Sequence, residues 1–219
     1  MVGDKYFHGW GATEIVGGIT SLTRNDAIGL GEAEDRWRTV GRPAPTCRLF
    51  VLDEEGNDLP RGAGNVGEFA VEIDTIFSGY WENPEATAAA FHKGRYLTGD
   101  VGYVDHAGYA YILDRKRDMI VSGGANVYSA EVERVLRQLD GVADIAVFGI
   151  PHERWGESVA AVIVRTPGSS LTEDDVIAFA RANMASFKKP TSVRFLDELP
   201  RNASQKVRKD VLREQWASS

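Results

Sequence analysis

The run Trp10-Gly11-Ala12-Thr13-Glu14, near the start of the chain, combines the residue types that a nucleotide and its metal ion require. An aromatic face suits a purine base, and a glycine lets the backbone approach a ligand closely. A hydroxyl suits a phosphate, and a carboxylate suits Mg²⁺. Taken alone, the run is more typical of a polar loop, so its interpretation depends on the rest of the chain.

Two further segments offer an anion and a cation. Asp100 follows Thr98-Gly99, where a carboxylate could accept hydrogen bonds from two ribose hydroxyl groups. Lys206 closes the polar loop Pro200–Lys206. Individually, a turn aspartate and a surface lysine are the more common interpretations. The charged run Arg115–Asp118 is likewise typical of a solvated face.

Several catalytic motifs are absent from the sequence. There is no Gly-x-x-x-x-Gly-Lys-Ser/Thr phosphate loop, no His-Glu-x-x-His zinc motif and no Gly-x-Ser-x-Gly nucleophile elbow. The histidines are scattered rather than clustered. Each absence lowers the expectation of one class of enzyme.

The composition of the 219 residues is that of a globular protein, with 43% hydrophobic and 26% charged residues. Lys and Arg number 25 against 32 Asp and Glu, and this net charge of −7 argues against general nucleic-acid binding. The single cysteine, Cys47, excludes an intrachain disulfide. The apolar stretches Ile145–Ile150 and Val159–Val164 are too short to span a membrane. We therefore expect a cytoplasmic protein.

Turn signals and periodicity predict the elements that position these residues. Residues 1–40 are expected to be loop-rich, because paired glycines and the charged run at 32–38 break any period. Residues 41–114 are expected to form short antiparallel strands, including Cys47–Leu52 and Val66–Ile73, with one short helix from Pro84.

The predicted secondary structure changes after Asp114, from short strands to alternating strands and helices. Helices are predicted to start at the caps Ser129 and Thr172, and a last helix is predicted over Val207–Trp216. β-rich stretches lie between them. This alternation predicts a compact α+β unit over residues 115–219.

The polar segments match, in order and approximate spacing, the motifs of one protein family. The matching segments are Gly9–Glu14, Val40–Pro43, Val66–Glu68, Phe77–Thr87, Leu97–Asp100, Asp114–Ile120, Ser122–Tyr128, Glu131–Glu133 and Leu199–Lys206. The pattern resembles the adenylate-forming superfamily of acyl- and aryl-CoA synthetases, adenylation domains and luciferases. It is most similar to the CoA ligases, and it extends from Tyr6 to Trp216.

The resemblance implies a fold and a reaction. Residues 1–114 would be the end of a large adenylating domain, with a distorted barrel-like set of strands, and residues 115–219 a small lid domain. The family activates a carboxylic acid with ATP and Mg²⁺ as an acyl-adenylate, then transfers the acyl group to a thiol, usually that of CoA. A fatty or aryl acid is expected here.

The resemblance also implies roles for individual residues. Those expected to bind ATP or AMP are Trp10, Gly11, Thr13, Asp100 and Arg115. Glu14 would hold Mg²⁺, Arg117 would lie at the hinge, and Lys206 would be the catalytic lysine. Gly123 and Gly124 would line the pantetheine channel. The acyl pocket would include Ile15, Val16 and Gly17.

Two departures from the family pattern stand out. The residue before the lysine is usually Gly but here is Gln205, which would be disfavoured by about 1 kcal/mol if the position requires a positive φ. The family's phosphate-binding loop lies upstream of the Trp10–Glu14 motif, and the chain begins after it. We therefore expect the C-terminal portion of a ligase, weakly active or inactive without the N-terminal part of the parent enzyme.

Two alternatives remain open. The chain could be a non-catalytic nucleotide- or partner-binding module derived from such an enzyme. It could also come from an adenylating enzyme that loads a carrier protein rather than CoA. The sequence does not indicate an oligomeric state.

Overall fold

The computed structural model describes residues 8–23 and 38–218, and it divides the chain into two compact units, Met1–Lys116 and Arg117–Ser219. The division lies at Lys116, close to the Asp114 boundary that the sequence suggests. Both units mix strands and helices, which confirms an α+β fold. The strands of the described residues form open sheets and do not close into a barrel.

A three-stranded antiparallel sheet opens the first unit: β1 (His8–Ala12), β2 (Gly17–Leu22) and β3 (Arg42–Pro43). The expectation of a loop-rich segment over residues 1–40 is thus wrong for its described part, while residues 24–37 lie outside the described residues. The glycines break the alternation of apolar and polar residues that marks a strand, so the sequence gives no sign of this hairpin. In the fold, they let its two strands approach each other closely. A Cβ at Gly11 would lie 2.4 Å from the carbonyl oxygen of Gly17.

A second, five-stranded sheet completes the first unit. Its strands are β4 (Cys47–Leu52), β5 (Gly67–Ile73), β6 (Phe91–His92), β7 (Arg95–Val104) and β8 (Ala110–Arg115). Their order is β4-β5-β7-β6, and β8 also pairs with β7. The short helix α1 (Pro84–Ala89) begins where expected, with the Asn83 side chain accepting a hydrogen bond from the Ala86 N–H.

The second unit contains one five-stranded sheet and three helices. The elements are β9 (Ile120–Ser122), β10 (Ala125–Val127), α2 (Ser129–Leu136), β11 (Val142–His152), β12 (Gly156–Arg165), α3 (Glu173–Asn183), β13 (Ser192–Leu196) and α4 (Lys209–Ala217). The strand order is β10-β9-β12-β11, with β13 parallel to β12.

The alternation of side chains along β11 and β12 gives this sheet two buried faces. One face carries Ile145 and Val147 and packs against apolar residues of α2 and α3. The other carries Ala146 and Phe148 and packs against Leu199 and residues of α4. The sheet is therefore the middle layer of three, and the segment preceding α4 lies on the second face.

Two of the predicted helix starts have different outcomes. Thr172 caps α3 in a reciprocal capping box with Asp175, as expected. Ser129 is not a cap: it is the buried first residue of α2, and its hydroxyl accepts a hydrogen bond from Lys209 Nζ at 2.7 Å. None of the helices in the described ranges combines the length and apolarity that crossing a membrane requires.

Candidate functional site

The Thr98-Gly99-Asp100 segment is a bulge in the centre of β7. The register between β5 and β7 shifts between Glu68 and Ala70, and Gly99 takes a φ of +69°. The Thr98 hydroxyl donates to the Phe69 carbonyl and accepts from the Asp100 N–H. A bulge re-aims the side chains next to it, and here it fixes the backbone beneath the Asp100 carboxylate.

One neutral donor and one cationic donor hold the Asp100 carboxylate, each on a different oxygen. The indole N–H of Trp10 donates to Oδ2 at 2.9 Å, and Arg115 Nε lies 2.8 Å from Oδ1. Arg115 stands directly opposite Asp100 across the β7–β8 ladder. The Asp100 side chain is only 6% exposed while that of Arg115 is 48% exposed, so a ligand that reaches Asp100 must share it with Arg115 or displace the guanidinium.

Trp10 has a role that its sequence position did not indicate. Its ring lies 5.3 Å from that of Phe69, at a tilted angle, and packs at the edge of the apolar core. The contact with Asp100 and the expected packing on adenine use different parts of the side chain, because the N–H lies at the ring edge. The adenine contact stays a prediction.

Glu14 is held by a tyrosine hydroxyl. The Tyr80 hydroxyl donates to Glu14 Oε1 at 2.8 Å, and the Phe77 N–H donates to the Glu14 carbonyl at 2.7 Å. Edge contacts among Phe77, Tyr80 and Tyr96 fix the position of the Tyr80 ring. The carboxylate is therefore oriented by aromatic residues from a distant part of the chain.

The environment of Glu14 favours its charged form. Partial burial raises its pKa, but hydrogen bonds from the backbone, Tyr80 and Tyr96 and the charge of Arg115 outweigh burial and hold the pKa below its ordinary value. An ionised carboxylate is the oxygen ligand that Mg²⁺ prefers. Over residues 8–23 and 38–218, no three His, Cys, Asp or Glu side chains cluster as a metal site. Glu14 alone fits the common case in which Mg²⁺ takes one carboxylate plus phosphate oxygens.

The neighbours of Glu14 have different exposures. Thr13 is exposed at the start of a 3₁₀ turn. Val16 is 80% exposed, and Gly17 is also exposed. Ile15 has no accessible surface and belongs to the core. In this conformation Ile15 therefore presents no surface to an acyl chain, whereas Val16 and Gly17 do. The acyl-pocket roles of Ile15, Val16 and Gly17 stay predictions.

The expected hinge and channel residues lie on turns. Arg117 is the first residue of the second unit and lies in the 3₁₀ turn Lys116–Asp118, with its side chain 85% exposed. Gly123 and Gly124 form the two-residue turn between β9 and β10, with φ of +59° and +80°. Such turns favour glycine. A Cβ on Gly124 would have no described heavy atom within 4 Å. The hinge and channel roles stay predictions.

Lys206 lies on a tight hairpin that Asn202 organises. Asn202 N–H donates to the Lys206 carbonyl, and the Lys206 N–H donates to Asn202 Oδ1, both at 2.9 Å. The same Oδ1 accepts from the Ser204 N–H at 3.1 Å. Arg201 and Val207 form a β-bridge that closes the hairpin, which explains why α4 begins at Lys209 and not at Val207.

Gln205 has a left-handed backbone, with a φ of +63°. The Gln205 N–H donates to the Asn202 carbonyl at 2.9 Å, which completes a turn followed by a residue in the left-handed region. This hairpin geometry normally takes glycine at that position. The position before Lys206 therefore has the positive φ that disfavours a residue other than glycine.

The Lys206 side chain is exposed, and its ammonium group has no hydrogen-bond or ion-pair partner among the residues that the structure describes. The carboxylates of Asp100 and Glu14 differ from Lys206 in this respect, because both accept hydrogen bonds from protein donors. A cation without a partner on an ordered backbone is available to an anionic ligand.

Sequence reasoning missed several residues that shape these sites. Tyr80 and Phe69 are far in sequence from the groups they touch, so no local pattern marks them. Asn202 could have been found, because asparagine side chains commonly bond to the backbone of their own turn.

Two sequence families match the chain: "AMP-binding enzyme" over residues 1–81 and "AMP-binding enzyme C-terminal domain" over residues 131–206. The chain belongs to the adenylate-forming AMP-binding enzymes. The second match includes Lys206, and the first includes Trp10, Glu14 and Tyr80.

Named AMP-binding enzymes are similar over nearly the whole chain. The chain is 52% identical over 213 residues to "3-[(3aS,4S,7aS)-7a-methyl-1,5-dioxo-octahydro-1H-inden-4-yl]propanoyl:CoA ligase" of Rhodococcus jostii, covering 97% of the chain and 38% of that protein. It is 37% identical over 211 residues to the long-chain-fatty-acid–CoA ligase FadD13 of Mycobacterium tuberculosis, covering 96% and 40%.

A solved structure is also similar to that of the chain. ATP-bound MatB from Rhodopseudomonas palustris matches with a TM-score of 0.83 and 38% identity, over 96% of this chain and 40% of that one. The chain thus spans about two-fifths of the length of the relatives it matches.

The Tyr80→Phe substitution tests how Glu14 is held. Loss of the hydroxyl donor should raise the Glu14 pKa toward its ordinary value, which ¹³C NMR titration of the side-chain carboxyl would measure. A carboxyl with a lowered folded-state pKa stabilises the fold above its unfolded-state pKa, and this contribution disappears as the pH falls through the folded value. The stability difference between wild type and Tyr80→Phe should therefore be larger at about pH 7 than at about pH 3.

The control for this test is the same substitution in a Glu14→Gln background. With no titrating group at position 14, the stability cost of Tyr80→Phe should no longer depend on pH. An unchanged Glu14 pKa in Tyr80→Phe would contradict the assignment.

The Gln205→Gly substitution tests the backbone strain beside Lys206. Glycine tolerates a positive φ, so the change should stabilise the second unit by up to about 1 kcal/mol, reduced by the greater freedom of glycine in the unfolded chain. Urea denaturation would measure the change, with Ser204→Gly as the control, because Ser204 has no positive φ. A destabilised Gln205→Gly protein would show that the left-handed backbone is not a source of strain.

Proposed function

We propose that the chain is the C-terminal part of an AMP-forming acid–CoA ligase that acts on an apolar fatty or aryl acid. Family membership supports the reaction class, and the named CoA ligases among the relatives support CoA as the acceptor. The geometric observation that carries the proposal is the Lys206 ammonium, which has no partner within residues 8–23 and 38–218, on a hairpin fixed by Asn202. The exposed apolar side chain of Val16 supports an apolar acid.

The reaction proceeds in two steps. A carboxylate oxygen of the acid attacks the α-phosphorus of ATP, and the bond to pyrophosphate breaks. The CoA sulfur then attacks the acyl carbon, AMP leaves, and the thiol proton passes to solvent. Both reactants of the first step are anions, so cationic groups must offset their repulsion and stabilise the charge on the phosphoryl oxygens.

The residues of this chain divide that work. Lys206 places a mobile point charge at the acid and the α-phosphate, a task that suits an ammonium group better than a planar fork. Asp100 binds the ribose, with Trp10 and Arg115 holding its carboxylate. Glu14 would hold Mg²⁺, which supplies further neutralisation of phosphate charge when bound. Arg117 is the proposed hinge for the second unit, and Gly123 and Gly124 the proposed passage for pantetheine.

Product assays with Lys206→Ala test this proposal. The chain, alone and together with any residues that its gene encodes upstream of Met1, is incubated with ATP, Mg²⁺, CoA and a panel of fatty and aryl acids. We expect AMP and acyl-CoA to form in the longer protein, and Lys206→Ala to slow AMP formation by about 10²–10³-fold, the usual cost of losing one charge-stabilising donor.

Lys209→Ala is a poor control because Lys209 pairs with Glu133 in the fold. Lys189→Ala, in the loop after α3 and outside the hairpin, serves as the control. Absence of AMP under every condition would contradict the ligase assignment and favour a non-catalytic module. Transfer to a pantetheinylated carrier protein but not to CoA would contradict the acceptor only.

A further inference from the structure

Strand periodicity brings a carboxylate of β11 to the face on which the lysine hairpin packs. Ala146 and Phe148 point to the face covered by Leu199 and α4, whereas Ile145 and Val147 point to the opposite face. Asp144 has the same parity as Ala146, so its side chain emerges on the hairpin side. A bulge between Val142 and Asp144 precedes it, and the side chain is 26% exposed.

Arg201, at the base of the hairpin, connects Asp144 to the residue before Lys206. Its Nη2 forms an ion pair and hydrogen bond with Asp144 Oδ2, and its Nη1 donates to the Gln205 carbonyl at 2.5 Å. The Arg201 side chain is 35% exposed, so the pair is partly shielded from water. One planar guanidinium therefore links a strand of the sheet to the backbone of the hairpin tip.

Apart from this link, the hydrogen bonds of the hairpin within the described residues are internal to it. Asn202 joins Lys206 to the same hairpin, and the Arg201–Val207 bridge closes its base. Gln205 also has a backbone conformation that a non-glycine residue disfavours. The guanidinium fork donates in fixed directions, so it opposes both a shift of the hairpin on the sheet and a relaxation at Gln205.

We propose that Arg201 and Asp144 are positioning residues for Lys206, and that their bridge sets where the lysine ammonium acts during acyl-adenylate formation. The inference rests on the proposed function of Lys206. Reactions that depend on oriented groups lose about 10²-fold in rate for misplacements on the order of 1 Å. The effect should be confined to the first step, because the second step no longer brings together an acid anion and a triphosphate.

The test compares the two half-reactions in the full-length protein. ATP–pyrophosphate exchange reports adenylation, and CoA added to preformed acyl-adenylate reports thioester formation. Arg201→Gln and Asp144→Asn should slow the first by about tenfold or more while changing the second by less than about twofold. Arg201→Lys should give an intermediate loss, because an ammonium group can pair with Asp144 but does not reproduce the fork.

Arg137→Gln is the matched control. Arg137 lies 3.8 Å from the same Asp144 carboxylate and donates to the Ile145 carbonyl, yet it has no described contact with the hairpin. It should leave both half-reactions within about twofold of wild type. Equal losses in the two half-reactions for Arg201→Gln, or a loss in Arg137→Gln as large as that in Arg201→Gln, would overturn the inference.

Amide hydrogen exchange separates this inference from the proposed function. Arg201→Gln should speed exchange of the Lys206 N–H, which is bonded to Asn202, by about tenfold relative to Arg137→Gln. If the wild-type protein makes no acyl-adenylate, the function fails while faster exchange still supports the positioning bridge. Equal exchange of the Lys206 amide in the two variants would overturn the bridge whatever the activity.

Discussion

A lysine on an ordered backbone, with an ammonium group open to a ligand, can bring its charge to a defined point. The second unit meets both conditions at Lys206. Asn202 and the Arg201–Val207 bridge order the backbone of the hairpin, and no described residue neutralises the ammonium group. The three-layer packing of this unit also helps to fix the hairpin, because the sheet face beneath the hairpin carries Asp144, which pairs with Arg201.

In the first unit, by contrast, the charged side chains of the candidate site have protein partners. Asp100 and Glu14 are anions that already have donors: Trp10 and Arg115 for Asp100, and Tyr80 for Glu14. Such contacts fix the direction of each carboxylate before any ligand arrives, which reduces the reorganisation required on binding. One unit thus presents ordered anions, and the other presents a cation that no described residue neutralises.

Local signals in the sequence were sufficient for much of the fold. Strand β4 and the helix cap at Thr172 follow from residues a few positions apart. The positive φ at Gln205 was indicated only by the resemblance to the family, in which glycine usually precedes the lysine. The decisive contacts of the site are not local. Trp10 and Asp100 are 90 positions apart, Glu14 and Tyr80 are 66 apart, and Asp144 and Arg201 are 57 apart. Only the registers of the sheets bring these pairs together, and a single sequence does not specify those registers.

The most direct measurement is a crystal structure of the full-length protein with a non-hydrolysable acyl-adenylate mimic. The account predicts that the Lys206 ammonium lies within hydrogen-bond distance, about 3 Å, of an oxygen at the acyl–phosphate junction of the mimic. It also predicts that Asp100 accepts from the ribose hydroxyl groups. A complex trapped in the adenylation state with Lys206 exposed to solvent, and with another cation at the junction, would contradict it.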